Sequence, residues 1–313
     1  MELGLYTDSV PALWRDAALD VAAEAGALAI EIATGGQSSA PHLDRAELLA
    51  SESARSRLRD ELDGRGLHPS ALNCSTWLLH PRHGAEQRAI VEETFALAEL
   101  LAVDRVVTMS GCPGDGPGAT TVNWPTYPWP HELVDLRRRQ WDEMVELWRE
   151  LAQRAADHGV RVALELHPLQ LVFNVPTLLE LRAEVGRTVG ANLDPSHLFW
   201  QQMDPLAAIR ALGDAIHHVH LKDTAYVADE VALAGVLDVR SFEEPAGRAW
   251  NFVTLGRGHG RPFWTAFVDA LAGIGYDGAL SIEHEDRSMD PVEGVRESAA
   301  LATEILAGGS VGG

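Results

Sequence analysis

Four stretches of the chain finish an apolar run on side chains able to bind cations or move protons: RVALELHP, VGANLDPSHLFWQ, IHHVHLKD and GALSIEHED. If each run is an extended strand, alternation places Glu165 on one face with His167, Asn192 with Asp194, His218 with His220, and Glu283 with Glu285. Side chains at the ends of neighbouring strands can converge on a point. Glu165, Asp194, His220 and Glu283 would bring three carboxylates and one ring nitrogen there. That hard donor set suits Mn²⁺ or another divalent ion accepting octahedral coordination, with positions left for water or substrate. Without a positive charge between them the carboxylates would repel one another and raise their pKa values, so the cluster itself argues for a cation. Strand-end caps and salt bridges explain any one of these residues equally well, but explain four on successive strands poorly.

Such convergence needs a sheet that curves its strand ends together. Eight short apolar segments read as strands: Leu3 to Tyr6, Leu28 to Ile32, Pro69 to Cys74, Arg105 to Met109, Val160 to His167, Val189 to Asp194, Ile216 to Leu221 and Ala279 to His284. Helix-like runs lie between them, among them Ala12 to Ala25, Ala85 to Leu101, Leu136 to His158 and Pro262 to Ile274. Eight alternations without an interdomain linker predict a single α/β domain, a closed (β/α)8 TIM barrel over residues 1–306, rather than an open doubly wound sheet. The closing AGGSVGG, residues 307–313, reads as a flexible tail.

Two connections exceed what a barrel requires, and both should lie at its C-terminal mouth as walls or lids. One follows the fourth strand and reads SGCPGDGPGATTVNWPTYPWP, in which Trp124, Tyr127 and Trp129 either pack the loop down or stack on a sugar. The other runs from about Thr224 to Arg261 and contains LGRGHGRPFW, where Arg257 and His259 are candidates for anchoring substrate oxygens. Lys222 and Asp223 at the end of the seventh strand are a further substrate-contacting candidate or simply a pair with each other.

The chain has 313 residues, is 46% hydrophobic and 23% charged, and carries a formal charge of −21. That composition is globular, and the charge opposes binding to nucleic-acid phosphates and anionic lipid. Cys74 and Cys112 are isolated, which suggests neither a thiolate zinc site nor a disulfide framework and fits a reducing cytoplasm. No stretch approaches the roughly 20 apolar residues of a membrane span, so the expectation is a soluble cytoplasmic protein.

In NLDPSH, HVHLKD and GYDGALSIEHED the chain resembles the sugar-isomerase and epimerase superfamily of xylose-isomerase-like TIM barrels, and the resemblance spans nearly its whole length. The resemblance implies that Glu165, Asp194, His220 and Glu283 are the ligands of one divalent cation, Mn²⁺ first, with Mg²⁺, Co²⁺ and Zn²⁺ as alternatives. It implies that His197 reaches the substrate or an open metal position. It also implies that Glu165 and Glu283 flank the substrate carbon as an acid/base pair. The chemistry is sound in itself, since a cation on a carbonyl oxygen stabilises the enediolate formed when the adjacent proton leaves. ELHP adds His167 two residues beyond the first ligand. In this the chain looks more like members acting on oxidised sugars, including 3-oxo-glycoside-cleaving subunits of C-glycoside deglycosidases, where a base beside the metal starts elimination. A role for His167 in orienting a ligand or capping a loop competes with that.

The leading reading is a metal-dependent isomerase or epimerase of a ketose or oxo-sugar. A lyase expelling a leaving group from a 3-oxo-glycoside or inosose is the alternative. An abasic-site endonuclease is disfavoured by the charge, and a noncatalytic sugar-binding barrel by the carboxylate cluster. The expected partner is a small sugar or oxo-sugar, with no nucleic acid and no membrane. Association with a second copy or a second subunit over the mouth is left open.

Overall fold

The computed structural model describes residues 1–308. Among the described residues ten strands occur in order: β1 (Glu2–Tyr6), β2 (Ala29–Ala33), β3 (His68–Cys74), β4 (Arg105–Thr108), β5 (Arg161–Glu165), β6 (Val189–Leu193), β7 (Ile216–Leu221), β8 (Asp223–Tyr226), β9 (Trp250–Val253) and β10 (Ala279–Ile282). Eight close into a parallel barrel in the order β1-β10-β7-β6-β5-β4-β3-β2. This is the (β/α)8 barrel that the alternation predicts. The remaining pair, β8 and β9, is an antiparallel hairpin within the second long connection and was not expected there.

The described residues form eleven α-helices: α1 (Arg15–Glu24), α2 (Arg45–Ala50), α3 (Glu52–Asp63), α4 (Gly84–Leu101), α5 (His131–Asp157), α6 (Val175–Val185), α7 (Pro195–Trp200), α8 (Pro205–Leu212), α9 (Ala228–Ala234), α10 (Arg261–Gly273) and α11 (Pro291–Gly308). The expected Ala12 start of α1 moves to Arg15, and α5 begins five residues before Leu136. α11 carries Ala307 and Gly308 as helix, and the rest of the expected tail, 309–313, lies outside the described residues.

Barrel strands are buried on both faces, which is why they read as apolar runs with little alternation. Their outward side chains form one core with helix residues such as Phe95, Trp148, Trp264 and Phe267. Inside the barrel the apolar filling is a small cluster of Ala71, Val107 and Ala163. Two residues further along the same faces of β3 and β5 stand Asn73 and Glu165. Barrel interiors are ordinarily packed with bulky branched residues. Here the interior toward the mouth is polar, with Glu31, Asn192, His218, His220 and Ser281 all fully buried.

Candidate active site

Each expected ligand stands where a strand ends. Glu165 is the last residue of β5, Asp194 follows β6 directly, His220 is the penultimate residue of β7, and Glu283 follows β10 directly. Asp194 is also the N-cap of α7, with Oδ1 accepting from the Ser196 amide at 2.8 Å. That bond satisfies a helix-end donor and fixes the carboxylate, leaving buried Oδ2 without a hydrogen-bond partner. His220 Nδ1 lies 2.9 Å from Glu283 Oε2.

Ligand atoms of Asp194, His220 and Glu283 all fall within 4.8 Å of one another. Glu165 falls instead into a second group, with His167 and His197. His197 joins the two groups, its Nε2 lying 3.0 Å from Glu165 and 3.4 Å from Asp194. Neither ring nitrogen of His197 has a hydrogen-bond partner although the residue is buried. Polar atoms left unpaired in a dry environment are costly. The orphaned Asp194 and His197 atoms beside three carboxylates therefore fit a divalent cation, which Asp194, His220 and Glu283 would hold with Glu165 on the adjoining side.

The electrostatics follow from burial. Desolvation and the neighbouring Glu283 and Glu165 charges push the Asp194 carboxyl up to about 7, against the pull of Lys222. Desolvation and Glu283 raise Glu165. Burial would raise Glu283 too, but Lys222 and His220 outweigh it and hold it well below the usual carboxylate range. Burial and the neighbouring His197 push the His167 imidazole down to about 4. His167 is thus a neutral ring at physiological pH. Its Nδ1 must donate to the Pro168 carbonyl, 2.6 Å away, which leaves Nε2 as an acceptor.

Of these groups Glu165, His167, Lys222 and Glu283 line a cavity of about 230 Å³ at the barrel mouth, together with Tyr6 and Asp8 among others, whereas Asp194, His197 and His220 are buried and do not line it. A broader groove of about 820 Å³ lies beside it, between Trp14 and the β2–α2 connection, and carries none of the cluster.

Several expected contacts are corrected by this geometry. Lys222 does not pair with Asp223. Its ammonium lies 3.3 Å from Glu283 and 3.8 Å from Asp194, reaches Glu285, and sits 4.4 Å over the Phe252 ring. Asp223 instead receives the backbone amides of Gly256, Gly258 and His259 and the His259 ring. His259 is therefore occupied in pinning its loop and stacks on Phe199 at 3.7 Å, outside the cavity. Arg257 faces outward in a two-bonded pair with Glu297 of α11. Trp124, Tyr127 and Trp129 do not line the cavity either. Gln140 of α5 donates to the Pro113 and Asn123 carbonyls and draws this loop to the outside of the barrel. There Trp124 packs edge-on against Phe173 at 5.2 Å, and Tyr127 and Trp129 are each 69% exposed.

Three residues escaped sequence reasoning. Asp8, beyond β1, lines the cavity with a buried, unpartnered Oδ1, and desolvation chiefly raises its carboxyl to about 6. Phe252 reaches the site only because the β8–β9 hairpin folds back, 5.4 Å from His197. Glu31 did leave a signal, a carboxylate in the middle of the otherwise apolar AIEIA strand, where an unpaired charge is scarcely tolerated. Among the described residues no helix is long and apolar enough to cross a membrane.

Comparison with known proteins agrees with this architecture. The chain is 42% identical over 311 residues to the uncharacterized protein YfiH of Bacillus subtilis (strain 168), covering 98% of this chain and 99% of that one. Its fold matches the crystal structure of the probable 3-DHS dehydratase AsbF from Bacillus anthracis, with a TM-score of 0.70 at 19% identity, covering 97% and 99% of the two chains. It also matches IolI protein with a bound zinc atom, with a TM-score of 0.67 at 19% identity over 98% and 99%. The family model described as xylose isomerase-like TIM barrel aligns to residues 19–305. The chain, an enzyme, belongs to the xylose isomerase-like TIM barrel family.

Proposed function

We propose that this sugar-modifying enzyme is a divalent-cation-dependent isomerase or epimerase acting on a ketose or oxo-sugar through an enediolate. The observation that carries the reading is that Glu165 and Glu283 wall one small polar cavity from strands three positions apart in an eight-strand ring. Two carboxylates so placed can remove and return a proton on different sides of one carbon. A bound cation, Mn²⁺ by its donor set, would supply electrophilic stabilisation of charge developing on the carbonyl oxygen. Lys222 holds a buried positive charge beside Glu283 and can donate to a substrate oxygen, and His197 faces Glu165 with free ring nitrogens.

A second reading is elimination from a 3-oxo-glycoside or inosose. It is favoured by His167, a neutral imidazole that lines the cavity and has Nε2 free as a base. One experiment separates the two. Candidate ketoses, inososes and 3-oxo-glycosides are incubated with Mn²⁺-loaded protein in D₂O and followed by NMR. Deuterium uptake beside the carbonyl is the expected result, and no uptake from any of these classes would sink both readings. For an epimerase, His167→Asn should cause only a modest loss of exchange. For a lyase using His167 as base it should cost about 10²–10⁴-fold.

A further inference from the structure

We infer that Glu31 is the positioning residue of the cation centre, its carboxylate fixing the His220 imidazole in the tautomer and orientation that turn Nδ1 toward Asp194 and Glu283. This rests on the cation reading above and extends it to a residue from the opposite side of the barrel interior.

Glu31 is completely buried in the middle of β2. Both of its oxygens lie 3.0 Å from His220 Nε2. An ionised carboxylate only accepts hydrogen bonds, so this contact keeps a proton on Nε2, and a cation held by this ring would have to be taken on Nδ1. On the Nδ1 side lie the Asn192 amide nitrogen at 3.2 Å and, at 2.9 Å, the carboxylate of Glu283, itself one of the proposed ligands, so Nδ1 is the ring atom that faces the cation site. The ring has little freedom to turn, because Tyr6 stacks on it at 5.8 Å with planes 15° apart.

Glu31 is itself held. Asn73 donates to Oε1 at 2.7 Å and is braced in turn by Ser75, whose hydroxyl donates to Asn73 Oδ1 at 2.8 Å. His218 Nε2 lies 2.7 Å from Glu31 Oε2 and 3.1 Å from the Ser281 hydroxyl. Three strands besides β2 thus contribute polar groups, directly or in sequence, to hold this one carboxylate. A carboxylate behind a ligating imidazole sets the tautomer and strengthens the ring as a donor, and losing such a partner typically costs 10–100-fold in metal affinity.

The test is isothermal titration with Mn²⁺ on metal-stripped full-length protein. Wild type should bind one ion. Glu31→Gln should bind about 10–100-fold more weakly while still melting cooperatively, and Glu31→Asp should recover part of the loss. Equal affinity in wild type and Glu31→Gln would overturn the inference alone, whereas wild type taking up no divalent cation would overturn the cation reading and the inference together. If Glu31→Gln does not fold, ¹⁵N NMR of Zn²⁺-loaded wild type decides. His220 protonated at Nε2 with a metal-shifted Nδ1 is expected, and the reverse assignment would overturn the proposal.

Discussion

Asp194 caps α7 with one carboxylate oxygen and is proposed to bind the cation with the other, and substitution can separate the two roles. Asn keeps an oxygen for the Ser196 amide but loses the charge, whereas Ala loses both. Asp194→Asn should therefore retain the melting behaviour of α7 and lose stoichiometric Mn²⁺, while Asp194→Ala should lose the ion and about 1 kcal/mol of stability. Metal analysis and urea titration would check the pair. The same residue sets a pH dependence. Burial among like charges holds its carboxyl up at about 7, and ligation requires the ionised form. Mn²⁺ affinity should accordingly fall as the pH drops below 7, by up to about tenfold per unit for one proton. A flat affinity between pH 8 and 5.5 would show that Asp194 is already ionised throughout that range, and the Asp194→Asn variant then decides ligation by itself.

At the scale of elements, the two long connections divide unequally. The loop after β4 is rich in aromatics, yet Gln140 ties it to α5, whereas the β8–β9 hairpin delivers Phe252 over Lys222. Tyr127→Ala and Trp129→Ala should leave kcat/KM unchanged. Phe252→Ala should lower it roughly tenfold, on the order of the 1–2 kcal/mol of a desolvated cation–π contact. Steady-state kinetics on the substrate found by deuterium exchange would decide. β7 holds a different device in His217, whose Nδ1 donates to the Val162 carbonyl at 2.8 Å. Burial chiefly depresses this imidazole to about 4. Below its ordinary value of about 6.5 the unfolded chain takes the proton first, so stability present at pH 7 declines as pH falls from 6.5 toward 4, by at most ~3 kcal/mol. His217→Asn should flatten that part of the urea-midpoint profile, and an unchanged slope would assign the decline to other groups.

For the whole molecule, 46 acidic against 25 basic side chains leave a net charge of −21 to be compacted. Surface pairs such as Arg15 with Glu61 and Arg88 with Glu92 offset a fraction of it. The remainder repels itself across the surface and is screened over about 10 Å at 0.1 M salt. The melting temperature of metal-stripped protein should therefore rise between 10 and ~300 mM NaCl. A falling melting temperature would mean that surface ion pairs outweigh the repulsion.

The sequence by itself determined the barrel and its strand ends. Parallel strands buried on both faces must be short apolar runs, and the carboxylates and imidazoles that close RVALELHP, VGANLDPSH, IHHVHLKD and GALSIEHED stand where those runs meet the mouth. Glu165, Asp194, His220 and Glu283 were legible for that reason. What tertiary structure decided is which distant groups face one another. Barrel closure sets Glu31 of β2 against His220 of β7, 189 residues apart in the chain. The hairpin's return carries Phe252 to Lys222, and Gln140 pulls the tryptophan loop away from the cavity. These are contacts between elements whose separation in the chain carries no periodicity. Local alternation fixes a side chain's face, while its partner depends on shear, closure and loop path.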